Sequence, residues 1–362
     1  MSLNKILSYK NTGKKSIKFS NPDGKAWIVP VKNMRVALNL YQPSGIKGKL
    51  LKALLPLLHW VTPVKKAING KAVRCALQNE LCDKLCDIFG CKDIEYSIFC
   101  GTPSVHQKTT IQLSRGKKIL GYCKATDSAD IMALFQKESD TLAHLHKQGV
   151  ENIPQPLFCG TLNNDLHIFV QSTTKSNRSV VVHRWGALQE EFLATLHKRT
   201  ATEIPFTDSD YCRSLLALQE HIAWLPGSVD REKIARITAC EIARNSGKEV
   251  EYSAFHGDFT PWNMFVESGG LFVFDFEYAA LTYPPGLDRY HYEMQTAIYE
   301  KHLDANGIIT LLQQCEWCDK ESLRCYLLDI ISRFTMREKG PVQGAAAQPI
   351  ELWCYLLMNA AL

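Results

Sequence analysis

The chain has 362 residues, 46% hydrophobic and 22% charged, with a formal net charge of +5. Such a composition is ordinary for a soluble globular protein large enough for two lobes or domains. The longest apolar run, residues 53–61, is broken by Pro56 and His59, so a bilayer span of ~20 apolar residues is excluded.

Met1-Ser2-Leu3-Asn4-Lys5 leads into no apolar segment of the secretory kind, and the expectation is a cytoplasmic protein. Thirteen scattered cysteines are expected to stay as free thiols in a reducing compartment. Cys315-x-x-Cys318 with Cys325, and Cys82, Cys86 and Cys91, lack the second C-x-x-C or histidine pair of a zinc site. The net charge hides an asymmetry. Residues 1–70 hold thirteen Lys or Arg against Asp23 alone, and the rest of the chain is net acidic. A basic front on an acidic body is a signal about partners.

In chain order, residues 1–90 read as a basic N-terminal extension. Strands are expected at 26–31 and 36–41, with a turn at Asp23-Gly24. Residues 46–56 interleave Lys with Leu and predict a short amphipathic helix. Such a helix suits the interface of an anionic membrane, and packing its leucines on the body is the alternative. The expected membrane partner, reached through residues 1–70, would place the protein peripherally at the inner membrane surface. Trp27, Tyr41 and Trp60 lie in the same region with no nucleic-acid motif, so nucleic acid is not an expected partner.

Residues 91–172 form the second zone. Strands at 94–100, 109–113 and 119–123 precede a helix over 130–146, where Ile131, Leu134, Phe135, Leu142 and Leu145 recur at helical spacing. Strands at 157–159 and 167–170 follow. Three strands, a helix and two strands is the order of a kinase amino-terminal lobe. Residues 173–362 read as a mainly helical lobe, with stripes at Leu188, Phe192, Leu193, Leu196 and at Leu215, Leu218, Ile222, Leu225. Loop and short strand interrupt it at 253–278.

That interruption carries the chemistry. His256-Gly257-Asp258-Phe259-Thr260-Pro261-Trp262-Asn263 is followed by Val273-Phe274-Asp275-Phe276-Glu277. An aspartate, an asparagine five residues on and a second aspartate at a strand end match the spacing of a kinase catalytic loop and metal strand. Asp258 is the expected base or orienter of an acceptor hydroxyl. Asn263 and Asp275 are the expected metal ligands, with Glu277 a candidate for a second metal. Their hard oxygens suit Mg²⁺. His256 reads as structural. Upstream, Lys124 ends an apolar strand, and Glu138 falls in the buried phase of the 130–146 helix, where a carboxylate needs a cation. The two are expected to pair and position ATP phosphates. Gly101 and Ser104, in Cys100-Gly101-Thr102-Pro103-Ser104, stand where a phosphate-covering turn belongs. Lys108 is expected to be solvated.

With these residues in view, the chain resembles the aminoglycoside phosphotransferase and choline kinase family over about residues 94–300. The resemblance rests on His256 to Asn263, on Phe274-Asp275-Phe276-Glu277, on Lys124 with Glu138, and on Phe192-Leu193-Ala194-Thr195-Leu196-His197. It implies an α+β, two-lobed protein-kinase-like fold: a small antiparallel-sheet N-lobe with one key helix, and a larger, mainly helical C-lobe. It also implies ATP and Mg²⁺, a hydroxyl acceptor on a sugar, glycan, amino alcohol or aminoglycoside, and an adenine-holding hinge at residues 169–173, including Gln171. Asp288 matches the family's aspartate that braces the catalytic loop. Glu277 departs from the family's second Asp, and residues 1–90 have no counterpart in its simplest members. A silent, pseudokinase-like binding module is the alternative function.

Overall fold

The computed structural model describes residues 3–9, 13–43, 45–61, 70–102 and 107–359. The chain packs as two compact units. One comprises Met1–Lys147, Glu151–Val180 and Phe265–Glu277, and the other Gln148–Val150, Val181–Met264 and Tyr278–Leu362.

The first unit holds β1 (Leu7–Ser8), β2 (Lys14–Ser20), β3 (Ala26–Pro30), α1 (Met34–Ala37), α2 (Ile46–Leu58), β4 (Lys71–Leu77), α3 (Asn79–Phe89), β5 (Glu95–Cys100), β6 (Thr109–Arg115), β7 (Lys118–Thr126), α4 (Ala129–Lys147), β8 (Pro156–Thr161) and β9 (His167–Ser172). Nine strands form one sheet in the order β1-β4-β2-β3-β5-β6-β7-β9-β8, paired antiparallel throughout. The four strands of residues 7–77 therefore continue the sheet made by residues 95–172. Along α4 the buried positions are Ile131, Phe135, Glu138, Thr141, Leu142 and Leu145. That helical stripe sets Glu138 among apolar neighbours.

One expected strand is absent. Residues 36–41 form the end of α1 and a 3₁₀ turn, Leu38–Leu40. The reason lies in the sheet: β3 already has β2 on one edge and β5 on the other, leaving no ladder to join. Val36 and Ala37 instead offer their carbonyls to Gln112 Nε2 (2.9 Å) and Ser97 Oγ (3.1 Å). Met34, Ala37 and Leu38 join a satellite core with Ile17, Phe19, Trp27, Val29 and Leu55.

The second unit contains α5 (Ala187–Thr200), β10 (Thr202–Pro205), α6 (Asp210–Glu220), α7 (Arg231–Asn245) and β11 (Glu249–Phe255). The hairpin β12 (Met264–Glu267) and β13 (Gly270–Val273) belongs, from Phe265 on, to the first unit, and the second resumes with β14 (Ala280–Tyr283), α8 (Leu287–Tyr299), α9 (Ala305–Gln313), α10 (Lys320–Arg337) and α11 (Ala347–Asn359). Strands β10, β11 and β14 form a three-stranded sheet. The second expected stripe is divided, because α6 ends at Glu220 and Ile222 begins a 3₁₀ turn. Ser209, Asp230, Asp304 and Asp319 each accept a backbone N–H at a helix start, satisfying donors that have no partner inside the helix. The central helix is α10, with Tyr326, Leu327, Leu328, Ile330 and Ile331 all buried.

Candidate active site

In the first unit a cluster of two lysines and three acids forms around the end of β13. Lys124 on β7 reaches Glu138 at 2.5 Å and Asp275 at 2.6 Å. Its ammonium is buried, which would favour the neutral amine, but Asp275 and Glu138 outweigh burial and raise its pKa. The other Glu138 oxygen accepts the Phe276 N–H at 3.2 Å, so the carboxylate ties the helix, the strand lysine and the backbone after β13 together. Asp275 adopts a left-handed φ of 71°, a conformation that a non-glycine residue holds only where its surroundings fix it. Lys108, at the entry to β6, forms an ion pair with Glu277 and lies 3.6 Å from Asp275. The expectation of a solvated Lys108 is thus wrong: the two carboxylates draw it in.

Beside this cluster is a pocket lined by Lys108, Lys124 and Asp275 at its charged side and by Gln171, Ser172 and Thr173 from β9 and its exit. Phe265, Phe272 and Phe274 make an aromatic wall. Lys175 reaches into the same pocket with its ammonium 5.3 Å from the Phe265 ring centre and 5.8 Å from that of Phe274. Burial pushes its amine down to about 8, assisted by Lys52. Gln171 is buried, and among the described residues its side-chain oxygen has no hydrogen-bond partner. Gly101 accepts a bond from Gln107 Nε2 at 2.7 Å and is not among the pocket's lining residues. Ser104 lies outside the described residues.

The second unit presents the aspartate loop. Asn263 Nδ2 donates to the Asp258 carboxylate (2.6 Å) and to the Asp258 carbonyl (3.0 Å). The Asn263 amide oxygen is left as the donor available to a cation. His291 Nε2 lies 3.0 Å from the other Asp258 oxygen, and the Tyr326 hydroxyl lies 3.3 Å from His291 Nδ1. Burial lowers the His291 pKa despite the pull of Asp258, so a neutral imidazole donates from Nε2 and accepts at Nδ1. His256 is buried, and its Nδ1 accepts the Asp258 N–H at 3.1 Å. Asp288 is buried at the start of α8 and accepts the His256 N–H (2.8 Å) and the Gly257 N–H (3.0 Å). Burial pushes its carboxyl up to about 7, against the pull of those two amides.

A larger residue at Gly257 would be strained. Its φ is 79°, and an added Cβ would stand 2.7 Å from the Tyr278 carbonyl oxygen. Arg333 on α10 donates to the Gly257 carbonyl at 2.8 Å and pairs with Asp329 at 2.7 Å.

With this geometry in place, comparison with known proteins is decisive for one segment. Residues 129–284 match the phosphotransferase enzyme family APH. That match covers less than half of the chain. A comparison with curated protein sequences gives no match. Among solved structures, a thermostable mutant of aminoglycoside phosphotransferase APH(4)-Ia, in ternary complex with AMP-PNP and hygromycin B, aligns with a TM-score of 0.53 at 15% identity, covering 78% of this chain and 99% of that one. A related complex with ADP and hygromycin B gives 0.51 at 14% identity over the same shares. Choline kinase LicA from Streptococcus pneumoniae gives 0.47 at 12% identity, covering 77% and 97%. At these identities the first two likenesses establish the fold, and the expected α+β, kinase-like class is borne out.

Three residues of these clusters carry no signal that was used in the sequence. Lys175 had no motif around it to draw attention. His291 could have been found, since it stands one helical turn after Asp288 on the same face of α8. Arg333 is 76 residues from Gly257, and no local pattern connects them.

Proposed function

We propose that this chain is an ATP-dependent phosphotransferase that moves the γ-phosphate to a hydroxyl of a small molecule. The observation that carries this reading is the buried Lys124 held between Glu138 and Asp275, beside a pocket walled by aromatic rings. A cation fixed in this way at the charged side of a ring-lined cavity suits a nucleotide triphosphate, with base on the Gln171-to-Thr173 side and phosphates toward Lys124. Two of the similar structures contain AMP-PNP or ADP with hygromycin B, which supports a nucleotide and a hydroxyl-bearing acceptor.

In the second unit, Asp258 would take the acceptor's hydroxyl proton as the new O–P bond forms and the bond from the γ-phosphorus to the bridging oxygen breaks, releasing ADP. Its orientation is fixed beforehand by Asn263 and His291, which costs no rearrangement during reaction. His256 and Asp288 hold the loop backbone. Asp275 in the first unit, its charge already compensated by lysine, and Asn263 in the second each offer an oxygen of the kind that Mg²⁺ takes. An ion held by Asp275 would neutralise charge on the phosphates. Glu277, engaged by Lys108, serves to fix that lysine next to Asp275.

The test is ADP release with Mg-ATP and a panel of sugars, amino alcohols and aminoglycosides, comparing wild type with Asp258→Ala. Turnover on at least one acceptor that falls about 100-fold or more in the variant is expected. Nucleotide binding without Asp258-dependent turnover on any acceptor would instead identify a silent binding module.

A further inference from the structure

Helix α2 is apolar on two sides, and among the described residues only one of them is covered. Leu55 is fully buried, and Leu51 packs with it on the satellite core of Ile17, Phe19, Trp27 and Val29. Turned away from that core are Ile46 (85% exposed), Leu50 (59%), Leu54 (38%) and Leu57 (58%), followed by Trp60 (69%). Their spacing of four, four and three residues is one face of an α-helix. Five of the large hydrophobic side chains left exposed on the described surface are thus gathered in fifteen residues. A gathered apolar surface of this kind marks an interaction site, whereas scattered exposed hydrophobics do not.

The charge around the stripe identifies its occupant. Lys47 and Lys49 are exposed on the same helix. No acidic residue occurs between Asp23 and Glu80, a stretch that contains ten Lys or Arg. At the far end of the helix a cleft is lined by Trp60, His59, Lys15 and Arg74, the last two being directly opposite each other across β2 and β4. We propose that this face docks on an anionic lipid bilayer, with the Ile46-to-Trp60 stripe in the acyl boundary and a lipid phosphate in the Lys15–Arg74 cleft. A second copy of the chain would bring the same cationic face to the contact, and like charges there are unfavourable. A bilayer offers apolar depth and negative headgroups together, which is what an interfacial helix requires. Attachment is peripheral, since no helix among the described residues is long and apolar enough to cross a membrane. The inference is independent of the phosphotransfer chemistry.

Co-sedimentation of the full chain with vesicles tests it. Wild type is expected to bind phosphatidylcholine vesicles containing phosphatidylglycerol at low salt, at least tenfold better than phosphatidylcholine alone, and to release at high salt. Leu50→Glu/Leu57→Glu and, separately, Lys47→Glu/Lys49→Glu are expected to lose most of that binding while keeping the urea-unfolding midpoint and nucleotide affinity. The proposal is overturned if wild type does not bind the anionic vesicles, if either folded double variant binds as well as wild type, or if wild type forms a dimer that the leucine variant abolishes and shows no vesicle binding.

Discussion

The two candidate clusters, one in each unit, are held by different forces. Around β13, Lys108 and Lys124 are fixed by three carboxylates; charge fixes charge. Around the aspartate loop, Asp258 is oriented by an amide and a neutral imidazole, and Asp288 by two backbone N–H groups. Ionic contacts are non-directional and can be exchanged for phosphates or a metal ion as these arrive. Hydrogen bonds to fixed dipoles are directional and stay as built. The first region is therefore arranged to receive charge, and the second to keep one oxygen pointed in one direction.

The largest test of this contrast is Lys124→Met, which leaves Glu138 buried without its cation. A loss of about 3–5 kcal/mol in unfolding free energy is expected, measured by urea titration. Adding Glu138→Met should restore most of it, because the uncompensated charge is then gone. If the single variant costs no more than a surface lysine, charge does not hold this region.

The second test is the pH dependence contributed by Asp288. Its folded pKa of about 7 stands above the carboxylate value of 3.8. The folded state thus binds the proton that the unfolded state releases. This contribution to stability is fully present below about pH 4 and declines as pH rises toward 7, by roughly 2–4 kcal/mol. Urea unfolding of wild type against Asp288→Asn from pH 4 to 8 should show wild type losing ground over that interval. A constant difference would mean that the two amide bonds already keep Asp288 ionised. The smallest effect is expected from Gly257→Ala. It forces a positive φ and a close approach to the Tyr278 carbonyl, at about 1–3 kcal/mol. Turnover should fall with it, since the Asp258 amide is next in the chain. An alanine variant with wild-type stability and rate would show that the loop is less rigid than its hydrogen bonds imply.

How much of this could be read in advance depended on sequence separation. Asp258, Asn263 and Asp275 lie within eighteen residues, and Glu138 announced itself as an acid in an apolar helical stripe. Local patterning was enough to pair Glu138 with Lys124 and to find the strands at 94–100 and 167–170. The run at 36–41 was misread because a strand requires a partner edge, and the edges of β3 were claimed by residues far along the chain. Lys108 was misread for a similar reason. Nothing beside it in sequence is acidic, and the carboxylate that fixes it is 169 residues away. Arg333 belongs to the same class.

The continuity of the nine-stranded sheet through β3 and β5 has a consequence for how this protein can be handled and how it has been assembled. Removing residues 1–90 would strip the neighbour from β5, whose Ala26, Trp27 and Ile28 partners run along Cys100, Phe99 and Ile98. A bare edge bearing Tyr96 and Ile98 is a template for intermolecular strand addition. A truncated protein is thus expected to precipitate rather than report on what the front of the chain does, and the basic segment is structural masonry for the lobe that follows it.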